Sequence, residues 1–424
     1  MTLAQRVAVI GGGWAGLAAA VEATRRGHSV TLFEMAPQLG GRARSVVANG
    51  LVLDNGQHIL IGAYSATLAL MRTVGAAPEA MCLRSPLRLV YPDGSGLLLA
   101  AGSPLPRFIV AVLGMTAWRW RDRWALLFAA MRWGVGNFRC DPRLTVAQLT
   151  RRLPPAVRRD LIDPLCVAAL NTPAAAASAS VFLRVLNDAL FSGPGSADLL
   201  LPREDLSQLL PTPAARWLQQ AGAAIRLTQR VLAITRESAS WCVDGEDFEH
   251  VILATTATEA ARLAQSIAPD WADAALRLRY EPIVTVYARC QGTQLPEPML
   301  ALHADDTSPA QFVFDRGQLG GPQGLLAFVV SGAAAWVAQG TEAVAAATLH
   351  QARTMLAKHL HGPLELVHVQ VEKRATFACV PDLQRPAALV APGLFAAGDY
   401  VAGPYPATLE GTVRSGIAAG IAAG

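Results

Sequence analysis

The residues with the clearest chemical potential lie near the start of the chain, where a glycine-rich turn follows an apolar run at residues 7–10. Gly11 permits a sharp turn, Gly13 lets the backbone approach an anion, and Gly16 lets the next helix pack closely on a sheet. That helix is predicted from about Ala15, and its first N–H groups have no partner within the helix. The spacing therefore predicts a phosphate-binding turn, with an ordinary βαβ turn as the alternative.

A second apolar run, at residues 30–33, ends in Glu34 about 20 residues after the turn. A carboxylate at this point can accept both hydroxyls of a ribose and would repel a 2′-phosphate. Trp14 and Met35 flank the turn and the acid, so both are candidate cofactor contacts. Since strand, turn, helix, second strand and acid all agree, the sequence predicts a dinucleotide site.

Later segments repeat this pattern, which indicates a large and extended cofactor. Gly41-Arg42 offers another close backbone approach and a cation for a diphosphate. An apolar run near the C-terminus ends in Gly398-Asp399 and leads to an alanine-rich helix. A cofactor held between residues 11 and 411 fits FAD better than NAD.

Three further candidate contacts belong to these later segments. Residues 231–234 and 251–256 flank a polar turn at 244–247 and are predicted to pair as strands, with Val231 at the cofactor. The last helix is predicted to begin near Thr408 and Leu409, which places its N-terminus at the cofactor as well.

These motifs, taken in chain order over the whole sequence, resemble the FAD-dependent amine oxidase and phytoene desaturase superfamily. The resemblance implies that Glu34 binds the ribose and that Arg42 lies beside the pyrophosphate. It also implies that Gly398-Asp399 holds the ribityl chain and phosphate, and that the helix at Thr408 and Leu409 faces the flavin.

A narrower resemblance, to the hydroxysqualene dehydroxylase family of squalene and hopanoid biosynthesis, rests on residues 11–34, on LDNGQHILIGAY (53–64), on KRATF (373–377) and on PATLEGTVRSG (406–416). It implies FAD-dependent reductive dehydroxylation of hydroxysqualene to squalene. Gly56, Gln57 and His58 then become cofactor contacts, because their segment passes close to the flavin.

Two residues are candidate catalytic groups. His58 is one, since an imidazole titrates near neutrality and this one lies by the flavin loop. Arg374 is the other, since a guanidinium can hold the cofactor or a substrate hydroxyl. Each has a structural alternative, because His58 can brace its loop and Arg374 can pair with a nearby acid.

Other functions remain open at this point. A carotenoid or phytoene-type desaturase has the same cofactor and an apolar substrate, with the opposite direction of electron flow. An amine oxidase and a prenyl-lipid carrier without redox chemistry are further alternatives, although a carrier needs no intact flavin site.

The predicted fold class is α/β, with α+β character overall: a Rossmann-like FAD-binding domain interleaved with a substrate domain of mixed sheet and helices. The 424 residues suffice for two or three domains. We assign 1–75, 205–260 and 385–424 to the FAD-binding domain, and 76–204 and 261–384 to the substrate domain.

The composition is unusually apolar, with 52% hydrophobic and only 16% charged residues. An alanine-rich core explains this, and so does an apolar substrate tunnel or a membrane-facing surface. Residues 108–139 contain two apolar stretches separated by arginines and tryptophans, each too short to span a bilayer. This segment is a candidate for membrane docking, with a pair of core helices as the alternative.

The remaining sequence features concern the protein's localisation and its partners. Six scattered cysteines indicate reduced thiols in a cytoplasmic protein, peripheral on the inner membrane face if residues 108–139 dock there. We expect no signal peptide and no metal site. The net charge of +4 argues against nucleic acid. The expected partners are an apolar isoprenoid substrate, a membrane surface and squalene-pathway enzymes, and the oligomeric state is left open.

Overall fold

A computed structural model of the protein describes residues 4–238 and 240–424. The strands are, in chain order, β1 (Arg6–Ile10), β2 (Ser29–Phe33), β3 (Ser45–Ala48), β4 (Leu51–Asp54), β5 (Leu60–Ile61), β6 (Cys82–Ser85), β7 (Arg88–Val90), β8 (Gly96–Leu98), β9 (Leu199–Pro202), β10 (Ala224–Arg226), β11 (Ile234–Glu237), β12 (Ser240–Val243), β13 (Glu246–Phe248), β14 (His250–Leu253), β15 (Tyr280–Arg289), β16 (Met299–Ala301), β17 (Phe312–Asp315), β18 (Leu325–Val330), β19 (Glu365–Phe377), β20 (Leu389–Ala391) and β21 (Leu394–Ala396).

The helices alternate with these strands along the chain. They are α1 (Trp14–Arg25), α2 (Ser65–Thr73), α3 (Pro78–Met81), α4 (Pro104–Leu113), α5 (Trp120–Val135), α6 (Val146–Thr150), α7 (Pro155–Val157), α8 (Asp163–Leu170), α9 (Ala179–Phe191), α10 (Leu206–Leu209), α11 (Pro211–Gln220), α12 (Ala257–Ala264), α13 (Pro269–Leu276), α14 (Ala334–Gln339), α15 (Thr341–Met355) and α16 (Leu409–Ala422). A π-helical turn (Arg158–Ile162) joins α7 to α8, and a 3₁₀ turn spans Arg316–Leu319.

A six-stranded sheet in the order β10-β2-β1-β14-β21-β20 holds the glycine turn. All its pairings are parallel except that of β20 with β21, and α1 connects the parallel neighbours β1 and β2. The last four residues of β1, 7–10, are buried, as expected for a strand covered on both faces. The Rossmann-like unit and the predicted fold class are confirmed.

Helices α1 and α16 pack against each other closely enough to require glycine. A Cβ at Gly416 would lie 2.2 Å from the carbonyl oxygen of Ala15, and one at Gly420 would lie 2.7 Å from that of Ala19. Gly416 lies against Ala15 and Gly420 against Ala19, so the two helices run in the same direction. Their N-termini therefore lie at the same side of the sheet. The buried carboxylate of Glu410, at the start of α16, accepts hydrogen bonds from the backbone N–H groups of Ala66 and Thr67 in α2.

A second sheet is antiparallel, in the order β16-β17-β18-β15-β19. The long strands β15 and β19 pair from Tyr280↔Phe377 to Arg289↔Glu365, with two register shifts on the way. One face of this sheet packs on α14 and α15 through a separate apolar cluster. Helices α4 to α9 form a third layer, and the opposite face of the sheet contributes to the cavity described below.

One strand prediction is wrong. Residues 231–233 lie outside any strand, β11 pairs with β12 in a small antiparallel sheet, and β14 pairs with β1 and β21 instead. The reason is burial, since residues 251–253 are apolar on both faces and belong in the centre of a parallel sheet. The domain bounds stay a prediction. Within the described residues, no helix is long and apolar enough to cross a membrane.

Candidate functional site

The glycine turn between β1 and α1 forms a cradle that opens, at Gly11 and Gly13, onto a cavity. Gly13 is the N-cap of α1 and provides no side-chain cap, so the first N–H groups of the helix face outward from the turn. A Cβ at Gly11, whose φ is +107°, would lie 2.6 Å from the carbonyl oxygen of Ala254, and one at Gly16 would lie 1.8 Å from that of Gly11. Both positions therefore need glycine for packing, whereas a Cβ at Gly13 would make only an ordinary contact with the Cα of Gly41, at 3.8 Å.

Glu34, at the end of β2, is fixed for hydrogen bonding with a ligand. Its Oε2 accepts the N–H of Gly12 at 2.7 Å, and its Oε1 accepts the N–H of Ala36 at 2.8 Å. The side chain is only 8% exposed. Each carboxylate oxygen keeps a free lone pair after one backbone bond, which suits the two hydroxyls of a ribose.

Arg42 and Asp399 join two segments 357 residues apart in the sequence. Nη2 of Arg42 lies 2.6 Å from Oδ1 of the buried Asp399, and Nη1 donates to the carbonyl of Ala375 at 2.7 Å. Burial opposes the charge on Arg42, but Asp399 outweighs it, and the pKa of Arg42 is raised overall. The guanidinium is thus a permanent cation at the edge of the cradle.

The N-terminus of α16 lies at the same cavity as that of α1. Thr408 is its N-cap and accepts the N–H of Gly411 through Oγ1 at 3.0 Å. Thr408 and Leu409 both line the cavity. Two helix N-termini and Arg42 therefore line one cavity, an arrangement that favours a ligand with anionic groups.

A buried network holds the segment that contains Gln57. Nε2 of Gln57 donates to the hydroxyl of Tyr287 at 2.9 Å, and Nη1 of Arg316 donates to Oε1 of Gln57 at 3.2 Å. The hydroxyl of Tyr287 donates in turn to the carbonyl of Asp54 at 2.8 Å. The amide of Gln57 is thereby fixed at both ends, and its segment is held against the cavity.

Asp54 lies behind this segment. Its Oδ1 accepts the N–H of Leu206 at 2.9 Å, and its Oδ2 is 3.8 Å from Arg316. Burial raises the pKa of Asp54 to about 6, against the opposing effect of Arg316. Asp54 is thus a structural acceptor whose backbone donor lies in α10.

His58 lines the cavity with its ring oriented by its own loop. Its Nδ1 is 3.2 Å from the carbonyl oxygen of Gly56, which can only accept, so Nδ1 carries the proton. Burial lowers the pKa of His58, although the bond to Gly56 opposes this. The neutral ring then presents Nε2 as an acceptor, and a role as proton donor would need the imidazolium that burial disfavours.

A single cavity of about 590 Å³ brings most of the predicted residues together. Its walls include Gly11, Gly13, Trp14, Ala15, Glu34, Met35, Gly41, Arg42, Gly56, Gln57, His58, Val231, Gly398, Asp399, Thr408 and Leu409. Gly16 lies behind the wall. A group that needs a ribose acceptor, an anion cradle and two helix N-termini fits these residues, and FAD has that chemistry.

Arg374 is not brought to this cavity. Its side chain is exposed, with Nη1 3.5 Å from Oγ1 of Thr258, and its carbonyl accepts from Arg42 at 3.3 Å. The catalytic assignments of His58 and Arg374 stay predictions, and the position of the Arg374 side chain does not support the second.

Away from the cradle, the cavity continues as an apolar chamber between the third layer and the antiparallel sheet. The chamber is lined by Phe108 of α4, by Leu126, Ala130 and Trp133 of α5, by Leu161 and Ile162 of the π-turn, by Leu165 and Ala169 of α8, and by Phe182, Val185 and Leu186 of α9. Hydrocarbon walls of this extent suit a long apolar ligand.

Sequence reasoning missed four cavity residues on the sheet side: Asn55, Thr285, Gln370 and Glu372. The amide of Asn55 donates to the carbonyl of Arg42 at 2.8 Å and to Glu372 at 3.1 Å, and accepts from Gln370 at 2.7 Å. The available signal was alternation, because polar Gln370 and Glu372 are two residues apart on one face of a strand.

Comparisons with known proteins agree with this geometry. The family model described as flavin containing amine oxidoreductase matches residues 14–420. Hydroxysqualene dehydroxylase from Sinorhizobium fredii is 27% identical over 436 aligned residues, which cover 97% of this chain and 96% of that protein. Zeta-carotene desaturase from Zea mays is 43% identical over 72 residues, which cover 17% of this chain and 13% of that protein.

A solved oxidoreductase structure from Methanosarcina mazei shares the fold, with a TM-score of 0.75 at 16% identity over 97% of this chain and 99% of that one. The resemblances inferred from the sequence motifs are confirmed. The chain belongs to the flavin containing amine oxidoreductase family and is an FAD-dependent oxidoreductase.

Proposed function

We propose that this protein removes a hydroxyl group reductively from a long apolar isoprenoid, converting hydroxysqualene to squalene. One observation carries the proposal: the cavity joins an intact dinucleotide cradle to an extended apolar chamber. The near full-length likeness to a hydroxysqualene dehydroxylase supports the same substrate.

The residues on the cavity walls indicate separate roles for the cofactor, the cradle and the apolar chamber. Bound in its reduced form, FAD supplies the two electrons and two hydrogens that convert R–OH to R–H and water. The N-terminus of α1 and Arg42 would hold the diphosphate, Glu34 would hold the ribose, and the N-terminus of α16 would face the flavin. The apolar walls of α5, α8 and α9 orient the hydrocarbon chain and exclude bulk water from the reacting carbon.

A carotenoid-type desaturase is the second candidate, favoured by the short but strong likeness to zeta-carotene desaturase. It would use the same cradle and chamber, but electrons would pass from the substrate to the protein. An amine substrate fits less well, because the chamber walls are mostly hydrocarbon. A carrier without redox chemistry would not need the cradle that this chain retains.

The test separates these functions by substrate and by direction. The holoenzyme in detergent is incubated with a reductant and hydroxysqualene, and in parallel with an electron acceptor and either phytoene or putrescine. We expect squalene from the first incubation and no product from the others. Desaturated phytoene without any squalene would replace this proposal with the second candidate.

We further propose that α4 and α5 dock on an anionic lipid bilayer. Trp120, Trp124, Phe128, Met131 and Val135 recur every three or four residues on α5, and each is 49–83% exposed. This spacing places them on one face of the helix.

The opposite face of α5 lines the chamber through Leu126 and Trp133, so one helix separates the exposed stripe from the cavity. Exposed Arg119, Arg121 and Arg132 lie along the same helix or at its start. Arginine side chains are attracted to the head groups of an anionic membrane, and tryptophan with an apolar stripe can enter the boundary between head groups and acyl chains.

Vesicle sedimentation tests this surface. The protein should sediment with phosphatidylglycerol-containing vesicles and less with pure phosphatidylcholine, and Trp124→Glu/Phe128→Glu should abolish sedimentation. Val47→Glu, at a position 79% exposed in β3, is the control. Binding that survives the double variant, or a dimer in solution that the variant dissociates, would refute membrane docking at this face.

A further inference from the structure

The antiparallel sheet presents a small polar area to an otherwise apolar chamber. On β15, Ile283 and Thr285 line the cavity, and on β19 so do Gln370 and Glu372. The strand register pairs Ile283 with Glu372 and Thr285 with Gln370. Thr285 and Glu372 are therefore diagonal neighbours, a spacing at which the two side chains can reach a common atom.

Thr285 has an unused hydroxyl. The residue is 1% exposed, and its Oγ1 has no hydrogen-bond partner within the part of the chain that the structure describes. Buried polar groups are almost always hydrogen-bonded, so an unpaired hydroxyl on a cavity wall points to a ligand atom that completes it.

Glu372 differs from the other carboxylates on the cavity wall. Asp188, Glu259 and Asp399 each form an ion pair with an arginine, and Glu34 accepts two backbone N–H groups near the cradle. Glu372 forms no ion pair with a described residue.

Two hydrogen bonds orient the Glu372 carboxylate. Its Oε2 accepts from the amide of Asn55 at 3.1 Å, and its Oε1 accepts from the N–H of Arg374 at 3.1 Å. Both oxygens keep acceptor capacity. Two other titratable groups interact electrostatically with this carboxylate. They are Arg42 and His58, which lie on the loops opposite β19.

We propose that Thr285 and Glu372 form a binding subsite for a single hydroxyl group on an otherwise hydrocarbon ligand. The carboxylate accepts the ligand's O–H, and the threonine hydroxyl bonds to the ligand's oxygen. This rests on the proposed function, because it names the feature by which the site selects an alcohol over the corresponding hydrocarbon.

The placement also suits the reaction. The hydroxyl leaves as water once its oxygen takes up a proton, which is one of the two hydrogens that the reduced cofactor would supply, and the other arrives at the carbon as a hydride. Positive charge grows on that carbon as the C–O bond breaks, and a fixed carboxylate beside it stabilises this charge. Glu372 would thus act where the hydroxyl leaves, while the apolar walls hold the rest of the chain.

Binding to the oxidised holoenzyme tests the subsite without turnover. Hydroxysqualene and squalene are each titrated in detergent, with the fluorescence of the protein's tryptophans, including the cavity residue Trp133, as the signal. We expect about tenfold or tighter binding of the alcohol to the wild type. Thr285→Val and Glu372→Gln should each lose most of that preference, with squalene affinity and flavin content unchanged.

Two matched variants control for general damage. Thr348→Val makes the same change at a buried helix position whose hydroxyl bonds within α15, and Glu365→Gln changes an exposed acid at the start of β19. Both should retain the preference. Equal affinity of the wild type for alcohol and hydrocarbon, or a preference that survives both subsite variants, would overturn the proposal.

A turnover arm separates the subsite from the reaction. If the wild type prefers hydroxysqualene but forms no squalene when reduced, the dehydroxylation is refuted and the subsite stands. If the wild type forms squalene and both variants bind and react as it does, the subsite is refuted and the dehydroxylation stands.

Discussion

Replacing Gly13 by alanine separates cofactor binding from folding. An added Cβ would meet only the Cα of Gly41, at 3.8 Å, which is ordinary contact, and the φ of −74° suits alanine. Loss of the glycine N-cap should lower the free energy of unfolding by less than about 1 kcal/mol. The methyl group would, however, project into the cradle.

The effect on FAD follows from the hydrogen bonds at the helix N-terminus. If the methyl group displaces the diphosphate enough to lose one charge-assisted bond, the loss is about 1.5–3 kcal/mol. The dissociation constant for FAD should then rise by about 10–150-fold. Gly50→Ala is the control, because Gly50 has a φ of +73° with no neighbour within 4 Å of an added Cβ, so it should cost stability and leave FAD affinity unchanged.

Deflavinated protein is titrated with FAD by flavin fluorescence, and its stability is measured separately by urea unfolding. The reasoning is refuted if Gly13→Ala binds FAD as the wild type does. It is also refuted if the loss of affinity is matched by an equal loss of stability in the deflavinated protein.

Three further substitutions test other parts of the structure. Asp54→Asn removes a carboxyl whose pKa is raised to about 6, so the folded wild type holds an extra proton between about pH 4 and pH 6 and loses stability as the pH rises. In urea titrations, the free energy of unfolding of the variant relative to that of the wild type should rise by up to about 3 kcal/mol from pH 4 to pH 6. A relative free energy that does not change with pH would contradict this. Glu410→Ala leaves the N–H groups of Ala66 and Thr67 unpaired and should cost about 3–5 kcal/mol of unfolding free energy. Glu79→Ala, at an exposed ion pair, should leave the unfolding free energy nearly unchanged. Ala169→Phe should fill part of the chamber and lower hydroxysqualene affinity without altering FAD content, and unchanged affinity would place the substrate elsewhere.

The cradle was predictable because its physics is local. Gly11, Gly13 and Gly16 act through a turn of six residues, and Glu34 follows at the end of the next strand. Such requirements are visible in a short window of sequence. The apolar run that ends in Gly398-Asp399 was also visible in the sequence, but the bond between Asp399 and Arg42 was not, because no local pattern links residues 357 apart.

The chamber could not be derived in the same way. Its walls come from α4, α5, α8 and α9, whose inward residues resemble those of any apolar core until the layers are assembled. The apolar composition suggested a tunnel and equally an ordinary core. Only the packing of these helices opposite β15 and β19 distinguishes the two.

The polar wall was missed for a related reason. Thr285 stands inside an apolar run that predicts a buried strand, and nothing local shows that its hydroxyl lacks a partner. Arg374 was predicted as a catalytic group because a guanidinium can hold the cofactor or a substrate hydroxyl, and Glu372 was not predicted. Register shifts between β15 and β19 decide which of these side chains faces the cavity, and a register shift is a property of the pair of strands.

An anaerobic single turnover tests the central claim most directly. The bound flavin is reduced fully, excess reductant is removed, and hydroxysqualene is added in detergent while flavin absorbance and products are followed. We expect the oxidised flavin spectrum to return with one squalene formed per flavin reoxidised. A flavin that stays reduced while hydroxysqualene is recovered intact would contradict it.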